Sequence, residues 1–353
     1  MNPSSSHFAS ASPVSADHAK LLDCLRDHAG IDAEKALPRI VALTPDASTR
    51  KYFRIPWSKP GTAVAALYTE AFDAETLPFL DVTRLFERAG LPIPRILAVD
   101  EANGIVVQED LGDVQLIDAH HTKDEEEREA HIEDAIDLIA RIQATTADAH
   151  TTNSIASRLA FDEEKLAWEL NFFVEHFFGS LRRTPLPADD ELRNELHEIA
   201  VELAARPRVL CHRDFHGANI IVDSTGTLRI IDYQDARMGA ASYDLVSLLL
   251  DRQSAPPSLA EMRERRLYFL ERRRTHGLPA IDPDEFACEF RLMTIQRELK
   301  AAGTFSYQTA VCQRAAVYGK YIKPTLEIVL QSAIWLNRFP HLQRTLAREI
   351  AQL

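Results

Sequence analysis

CHRDFHGANIIVDSTGTLRIIDYQDA, residues 211–236, is the stretch whose reading decides the fold. Asn219 stands just before the apolar run IIV, Asp223-Ser-Thr-Gly226 reads as a turn, and Asp232 follows the returning run LRII. A hairpin of that length folds back on itself, so the two polar residues at its open end become neighbours. Asn219 and Asp232 both offer hard oxygen ligands, and the expectation is that they share a Mg2+ ion. Asp214, five residues before Asn219 on the loop entering the hairpin, is the candidate general base for a hydroxyl attacking a phosphate. His212 and Arg213 are expected to brace that loop by hydrogen bonds.

Outward from this hairpin the chain changes character twice. On its N-terminal side, LTPDASTRKYFRI (43–55) reads as a hairpin, TAVAALYTE (62–70) as a third strand, and AETLPFLDVTRLFERAG (74–90) as a helix closed by Gly90. PRILAVD and GIVVQEDLGD add two strands, which predicts a five-stranded, mostly antiparallel sheet carrying one helix. After Gly112 the text turns into long amphipathic helices with acidic first turns. The hairpin holds the only clear strands of that second part, and the chain from about Ser242 onward reads as helix. The predicted class is α+β, with a small antiparallel-sheet lobe and a larger, mostly helical lobe. The expected division is a flexible leader and N-terminal helix (1–35), a nucleotide-binding lobe (36–113), and a catalytic and substrate-binding lobe (114–353).

Composition narrows the partners. A net charge of −13 argues against a nucleic-acid partner, because phosphate backbones are gripped by an excess of Lys and Arg. The arginine-crowded segment 261–277 interleaves acids with an apolar stripe and reads as a solvated helix face. No apolar stretch approaches the roughly 20 residues that cross a bilayer, and the Ser/Ala-rich start lacks the basic and apolar regions of a signal peptide. Four scattered cysteines form no C-x-x-C pair, which argues against a zinc site or a disulfide framework. A monomeric cytoplasmic protein with a small-molecule partner is expected.

The spacing H-R-D-x-x-x-x-N followed by a lone Asp after one hairpin is that of the protein-kinase catalytic segment. Here, however, Asp232 is followed by Tyr-Gln-Asp and no A-P-E occurs beyond it. HRDFHGAN, IDYQDARMG and SYDLVSLLLD resemble instead the aminoglycoside phosphotransferase and choline kinase-like superfamily. From about Leu43 the chain is most similar to the anomeric sugar kinases of cell-wall recycling, the N-acetylmuramate/N-acetylglucosamine 1-kinases. That likeness is carried by PDASTRKYFRI (45–55), VVQEDLGD (106–113), LNFFVEHFFG (170–179), and HRDFHGAN with DYQDARMGAASYDLVSLL.

The resemblance implies a bilobal protein-kinase-like fold, ATP and Mg2+ as cofactors, Asp214 as base, and Asn219 and Asp232 as metal ligands. It further implies that Ser48, Thr49 and Arg50 face the phosphates and that the backbone of Glu109 and Leu111 faces adenine. Asp244 would hold the catalytic loop through backbone amides. An amino sugar is the implied acceptor, with Arg237 or Arg291 as the cation for an acceptor carboxylate; His216, Gln234 and Asp235, within a few residues of the base and metal ligands, read as its contacts, Asp235 alternatively as a second-metal ligand or a turn cap. The third strand, AVAALY, lacks the lysine that kinases use to pair phosphates, so Arg50, Lys51 or Arg54 is expected to supply charge. Trp168, Phe172, Phe173, Phe177 and Phe178 read as a core stripe or as an acceptor wall, and Glu169 and Glu175 as exposed. The competing readings are a choline, homoserine or aminoglycoside kinase, or a nucleotide-binding pseudokinase.

Overall fold

The computed structural model describes residues 15–43, 50–59, 61–119, 124–184, 190–253 and 256–353, so residues 1–14, Ser48 and Thr49 lie outside the described residues. Contacts divide the chain into two units, Met1–Leu77 with Pro94–Leu111, and Pro78–Ile93 with Gly112–Leu353.

The first unit is an antiparallel sheet in the order β1-β2-β3-β5-β4, made of Val41–Leu43, Lys51–Pro56, Thr62–Leu67, Ile96–Asp100 (β4) and Ile105–Glu109 (β5). Period-two alternation sets its faces. Phe53 and Ile55 of β2, Ala63, Ala65 and Leu67 of β3, and Ile105 and Val107 of β5 are buried in one core with Leu21, Cys24 and Leu25 of helix α1 (Ala16–Ala29). Helix α1 begins on Ser15, whose hydroxyl accepts from the His18 amide at 3.3 Å, and ends on Gly30 at φ 63°. Full burial of a leucine contributes roughly 1.5–3 kcal/mol, so this N-terminal helix is part of the sheet's core and not an appendage. Between β4 and β5, Gly104 turns at φ 68°, where a Cβ would lie 2.5 Å from the Glu70 carbonyl oxygen.

The second unit contains the predicted hairpin, β7 (Ile220–Val222) with β8 (Leu228–Ile230), paired Ile220 to Ile230. It also contains a two-stranded sheet that the sequence reading missed, β6 (Arg208–Cys211) with β9 (Arg237–Ala240). Four-residue strands almost 30 positions apart leave no alternation long enough to read. Gly239 of β9 is needed because a Cβ there would come within 2.7 Å of the Phe161 ring.

Helix α2 (Pro78–Arg88), expected to ride on the first sheet, packs within the second unit. Its buried face puts the Phe79 ring 5.3 Å from that of Tyr233, while the Thr83 and Tyr233 hydroxyls are 3.0 Å apart. Around the hairpin lie α3 (Glu125–Ala144), α4 (Glu163–Phe173), α5 (Asp190–Ala204), α6 (Tyr243–Leu250), α7 (Leu259–Thr275), α8 (Pro283–Ala310), α9 (Ala315–Leu336) and α10 (Pro340–Ile350). Helix α4 continues in wider π-type turns over Val174–Arg182. Gly303 of α8 permits close approach to it, since a Cβ would sit 2.8 Å from the Phe173 Cα. Among the described residues no helix is long and apolar enough to cross a membrane.

Candidate active site

The hairpin brings Asn219 and Asp232 together as its length requires. The Asn219 carbonyl accepts from the Ile231 amide at 3.1 Å, and the Asn219 Nδ2 lies 3.5 Å from Asp232 Oδ2. The same Nδ2 donates to the Asp214 carbonyl at 2.9 Å, which ties the loop carrying Asp214 to the hairpin. Asp223 tightens the turn at the closed end by accepting from the Thr225 and Thr227 amides at 2.9 and 3.1 Å. Two non-glycine residues of this region take the left-handed conformation, Arg213 at φ 89° and Asp232 at φ 63°. Aspartate tolerates it better than most residues, and strained backbone of this kind gathers at functional sites.

Behind the loop, Asp244 at the start of α6 accepts from the amides of His212 at 2.7 Å and Arg213 at 3.0 Å. Burial pushes its carboxyl up to about 7 despite those two bonds. His212 donates from Nε2 to the Ile231 carbonyl at 3.0 Å, and burial brings its imidazole down to about 4, so the ring is neutral and serves as a brace between loop and hairpin.

Asp214 is met by three cations. Its Oδ1 lies 3.4 Å from Lys300 Nζ and 3.6 Å from Arg297 Nη2, and its Oδ2 lies 3.5 Å from Arg213 Nε. Burial alone would raise this carboxyl, but Lys300, Arg213 and Arg297 outweigh it and hold it well below the usual carboxylate range. The side chain keeps 24% of its exposure, so one edge remains open to a ligand. Lys300 and Arg297 belong to α8, and nothing near the motif announced them; their only trace in the sequence is the i, i+3 spacing that puts both on one helix face. Arg297 is itself fixed by the Ser247 hydroxyl at 3.0 Å.

The expected acceptor contacts gather around the same loop. Asp235 pairs with Arg213 at 2.9 Å and Arg237 at 3.7 Å, and Gln234 donates to Asp232 Oδ1 at 2.9 Å. The Nδ1 of His216 is buried with no hydrogen-bond partner among the described residues. Arg291 lies instead over the Trp335 ring at 5.4 Å. Phe173, Phe177 and Phe178 are core residues, whereas Trp168 is 55% exposed and adjoins Phe172 at 5.6 Å. Glu169, expected at the surface, is buried: it accepts from Gln296 at 2.8 Å and lies 3.6 Å from Lys165 Nζ. Lys165 sits 4.1 Å over the Trp168 ring; burial lowers its ammonium, Glu169 raises it, and Arg213, Arg237 and Lys300 lower it. Cations and acids thus alternate beside Asp214, with Arg213 and Arg237 on Asp235 and Lys165 on Glu169.

In the first unit, Glu109 spends its amide on the Arg95 carbonyl at 2.9 Å, so an adenine contact from this residue falls to its carbonyl. The three candidate cations differ. Lys51 pairs with Asp17 at 2.6 Å, Arg54 holds Asp110 through two bonds of 2.8 and 3.0 Å, and Arg50 lies over the rings of Tyr52 and Tyr68 at 5.8 and 5.6 Å.

Residues 39–278 match the family model described as "Phosphotransferase enzyme family". The N-acetylmuramate/N-acetylglucosamine kinase of Neisseria meningitidis serogroup B is 30% identical over 270 residues, covering 74% of this chain and 76% of that protein. Among solved structures, an aminoglycoside phosphotransferase in a ternary complex with ADP and hygromycin B superposes with TM-score 0.56 at 18% identity, covering 89% of this chain and 98% of that one. The choline kinase LicA from Streptococcus pneumoniae superposes with TM-score 0.53 at 14% identity, covering 85% and 93%. The protein-kinase-like fold is therefore shared with these enzymes. With the family model spanning the first sheet, the hairpin and helix α6, the chain belongs to the phosphotransferase enzyme family and is a kinase.

Proposed function

We propose that this kinase transfers the terminal phosphoryl group of ATP, with Mg2+, to the anomeric hydroxyl of N-acetylmuramate, N-acetylglucosamine or both. The observation that carries the chemistry is the Asp214 carboxylate, its backbone anchored to the Asn219 side chain that also approaches Asp232, and itself kept ionised by Lys300, Arg213 and Arg297. The identity of the acceptor rests on likeness to the Neisseria enzyme. A monomer working in the cytoplasm is the setting we expect.

The amide oxygen of Asn219 and the carboxylate of Asp232 are a hard donor pair at the open end of one hairpin, which fits Mg2+. Bound there, the ion would neutralise charge on the nucleotide phosphates. Asp214 accepts a hydrogen bond from the acceptor hydroxyl and orients it. As the bond from that oxygen to the γ-phosphorus forms and the bond to the β,γ-bridging oxygen breaks, Asp214 takes the hydroxyl proton and ADP departs. A carboxylate held so far below its ordinary range is a weak base. It suits late proton transfer and an acceptor more acidic than an ordinary alcohol, which an anomeric hydroxyl is.

Choline and aminoglycosides are themselves cations, and the exposed ring face that could cage an ammonium is taken. Lys165 already occupies the face of Trp168 that would cage an ammonium, with Arg213, Arg237 and Lys300 in reach. His216, Gln234 and Asp235 are the acceptor contacts we propose. Ser48, Thr49 and Arg50 are those for the phosphates, and the Glu109 and Leu111 backbone is that for adenine.

The decisive experiment identifies the product. Incubation with ATP, Mg2+ and each hexosamine should release ADP and give an acid-labile phosphate with loss of the reducing end. A reducing, acid-stable product, or turnover with choline or kanamycin only, rules out the 1-kinase reading. Of the cations expected to stand in for the third-strand lysine, Arg50, which donates to the Tyr68 hydroxyl at 3.4 Å, is the one we assign to the nucleotide. Arg50→Ala should raise KM for ATP by about tenfold, the worth of one charge-assisted hydrogen bond, with little change in kcat. An unchanged KM would mean that backbone amides and metal hold the phosphates without it.

A further inference from the structure

Cys24 and His28 stand one turn apart on α1, so their side chains leave the same face of the helix. Ala98 of β4 packs against the core that holds Leu21, Cys24 and Leu25, and Asp100 follows it at the period-two position that returns to the same face of the strand. The scattering of the cysteines along the chain argues against a metal site, but packing of α1 on the sheet supplies what the spacing lacks. Among the described residues, the Cys24 Sγ, a ring nitrogen of His28 and a carboxylate oxygen of Asp100 all lie within 4.8 Å of one another, wholly inside the first unit.

A core cysteine ordinarily behaves as a small hydrophobe. Cys24 is 1% exposed, yet it meets a carboxylate and an imidazole, and the trio runs from the core through half-buried Asp100 to exposed His28. Asp100 is already oriented: its Oδ1 accepts from the Asn103 amide at 3.1 Å and its Oδ2 from Asn103 Nδ2 at 2.8 Å. A carboxylate oxygen that accepts one bond keeps a lone pair, so Asn103 stands behind Asp100 as an outer partner stands behind a metal ligand. Burial, then Asp100 and Asp27, push the Cys24 thiol up to about 12, so without a cation it keeps its proton.

We infer that Cys24, His28 and Asp100 form a binding site for one divalent ion of the zinc type, which ties the last turn of α1 to the end of β4. Thiolate and imidazole select such an ion over Mg2+, whereas Asn219 and Asp232 of the catalytic hairpin offer oxygens only. Tetrahedral bonds of about 2.0–2.3 Å set ligand atoms roughly 3.5 Å apart, so the trio closes by a modest turn of the exposed His28 side chain. As the metal–sulfur bond forms, the S–H bond breaks and its proton leaves to solvent; the ion supplies the positive charge that the buried thiolate and the nearby Asp27 and Asp100 otherwise lack. Three protein ligands leave the fourth position to water, on the side where His28 meets solvent.

The test titrates Co2+, whose spectrum reports its ligands, into the whole chain kept reduced with a phosphine. Wild type should develop a near-ultraviolet sulfur-to-cobalt charge-transfer band together with the visible bands of a four-coordinate ion, and Zn2+ should displace both. Cys24→Ala should lose the charge-transfer band although Cys211, Cys288 and Cys312 remain. His28→Ala alters an exposed side chain and should fold as wild type does, yet weaken binding by about tenfold or more, since even partners behind the ligands are worth that. Asp100→Asn should weaken it likewise. Zn2+ should raise the wild-type melting temperature by about 3 °C or more, a rise that Asp232→Ala keeps and His28→Ala cuts by about half or more. Absence of the charge-transfer band from wild type overturns the inference, as does a band of undiminished intensity in Cys24→Ala or an unchanged affinity in His28→Ala.

Discussion

Asp214→Asn is expected to lower kcat by about 10²- to 10⁴-fold while the affinity for ATP stays within about twofold. The amide keeps the shape of the carboxylate but neither takes a proton nor orients a hydroxyl as an ionised acceptor. The nucleotide should be insensitive, because Asp214 acts on the acceptor and the proposed phosphate contacts are other residues. The substitution also strips Lys300 and Arg297 of their carboxylate, and Arg297 is 4% exposed. Leaving a buried cation with one partner fewer is destabilising. The melting temperature should therefore be recorded beside the rate, so that a fall in folded fraction is not read as a fall in kcat. Turnover close to wild type in a folded Asp214→Asn protein would remove Asp214 from the mechanism.

Removal of the metal, or of its carboxylate, should be as severe. Activity should vanish in excess EDTA and return with Mg2+ or Mn2+, and Asp232→Ala should lose both turnover and the metal-dependent part of nucleotide binding. Asp232 sits at φ 63°, so the Ala variant adds a backbone penalty of roughly 1–2 kcal/mol to the lost ligand. Asp232→Asn tolerates that conformation and keeps an oxygen. It should fold as wild type does yet bind ADP with a much weaker dependence on Mg2+, measured by titrating the nucleotide with and without the metal. Full activity in excess EDTA would sink the assignment of Asn219 and Asp232 as ligands.

Asp244 shows why sequence reading reached the catalytic loop and little beyond it. Its hold on the loop was implied by the family resemblance, since His212 and Arg213 stand 32 and 31 positions before it, and both amide bonds are present. Inside the hairpin, short-range spacing fixes geometry because a turn of few residues has few conformations. That made the approach of Asn219 and Asp232 legible, and periodicity made the five-stranded antiparallel sheet and the fold class legible, whereas the strand order β1-β2-β3-β5-β4 came from the structure. Residues 211–236 by themselves determined a hairpin with Asn219 and Asp232 at its open end and the expectation of a kinase, with which the family match agrees.

Where the decisive neighbour lies far along the chain, no local pattern records it. Lys300 reaches Asp214 across 86 positions, and Arg208–Cys211 finds Arg237–Ala240 through a pairing too short to alternate. Glu169 is buried because α4 packs against α8, where Gln296 meets it, and a charged residue on an amphipathic helix is otherwise read as exposed. The arginines of α7 are the sharpest case. Their composition says solvent, yet Arg266 and Arg273 lie inside, since burial is set by which helix faces meet and not by the polarity of the residues that happen to stand there. Tertiary structure alone decided the electrostatics of this protein: which cations hold the Asp214 carboxylate ionised, and that Lys51 and Arg54 pair with Asp17 and Asp110. Coulomb energies depend on distances through space and on exclusion of water, and the linear order of residues specifies neither.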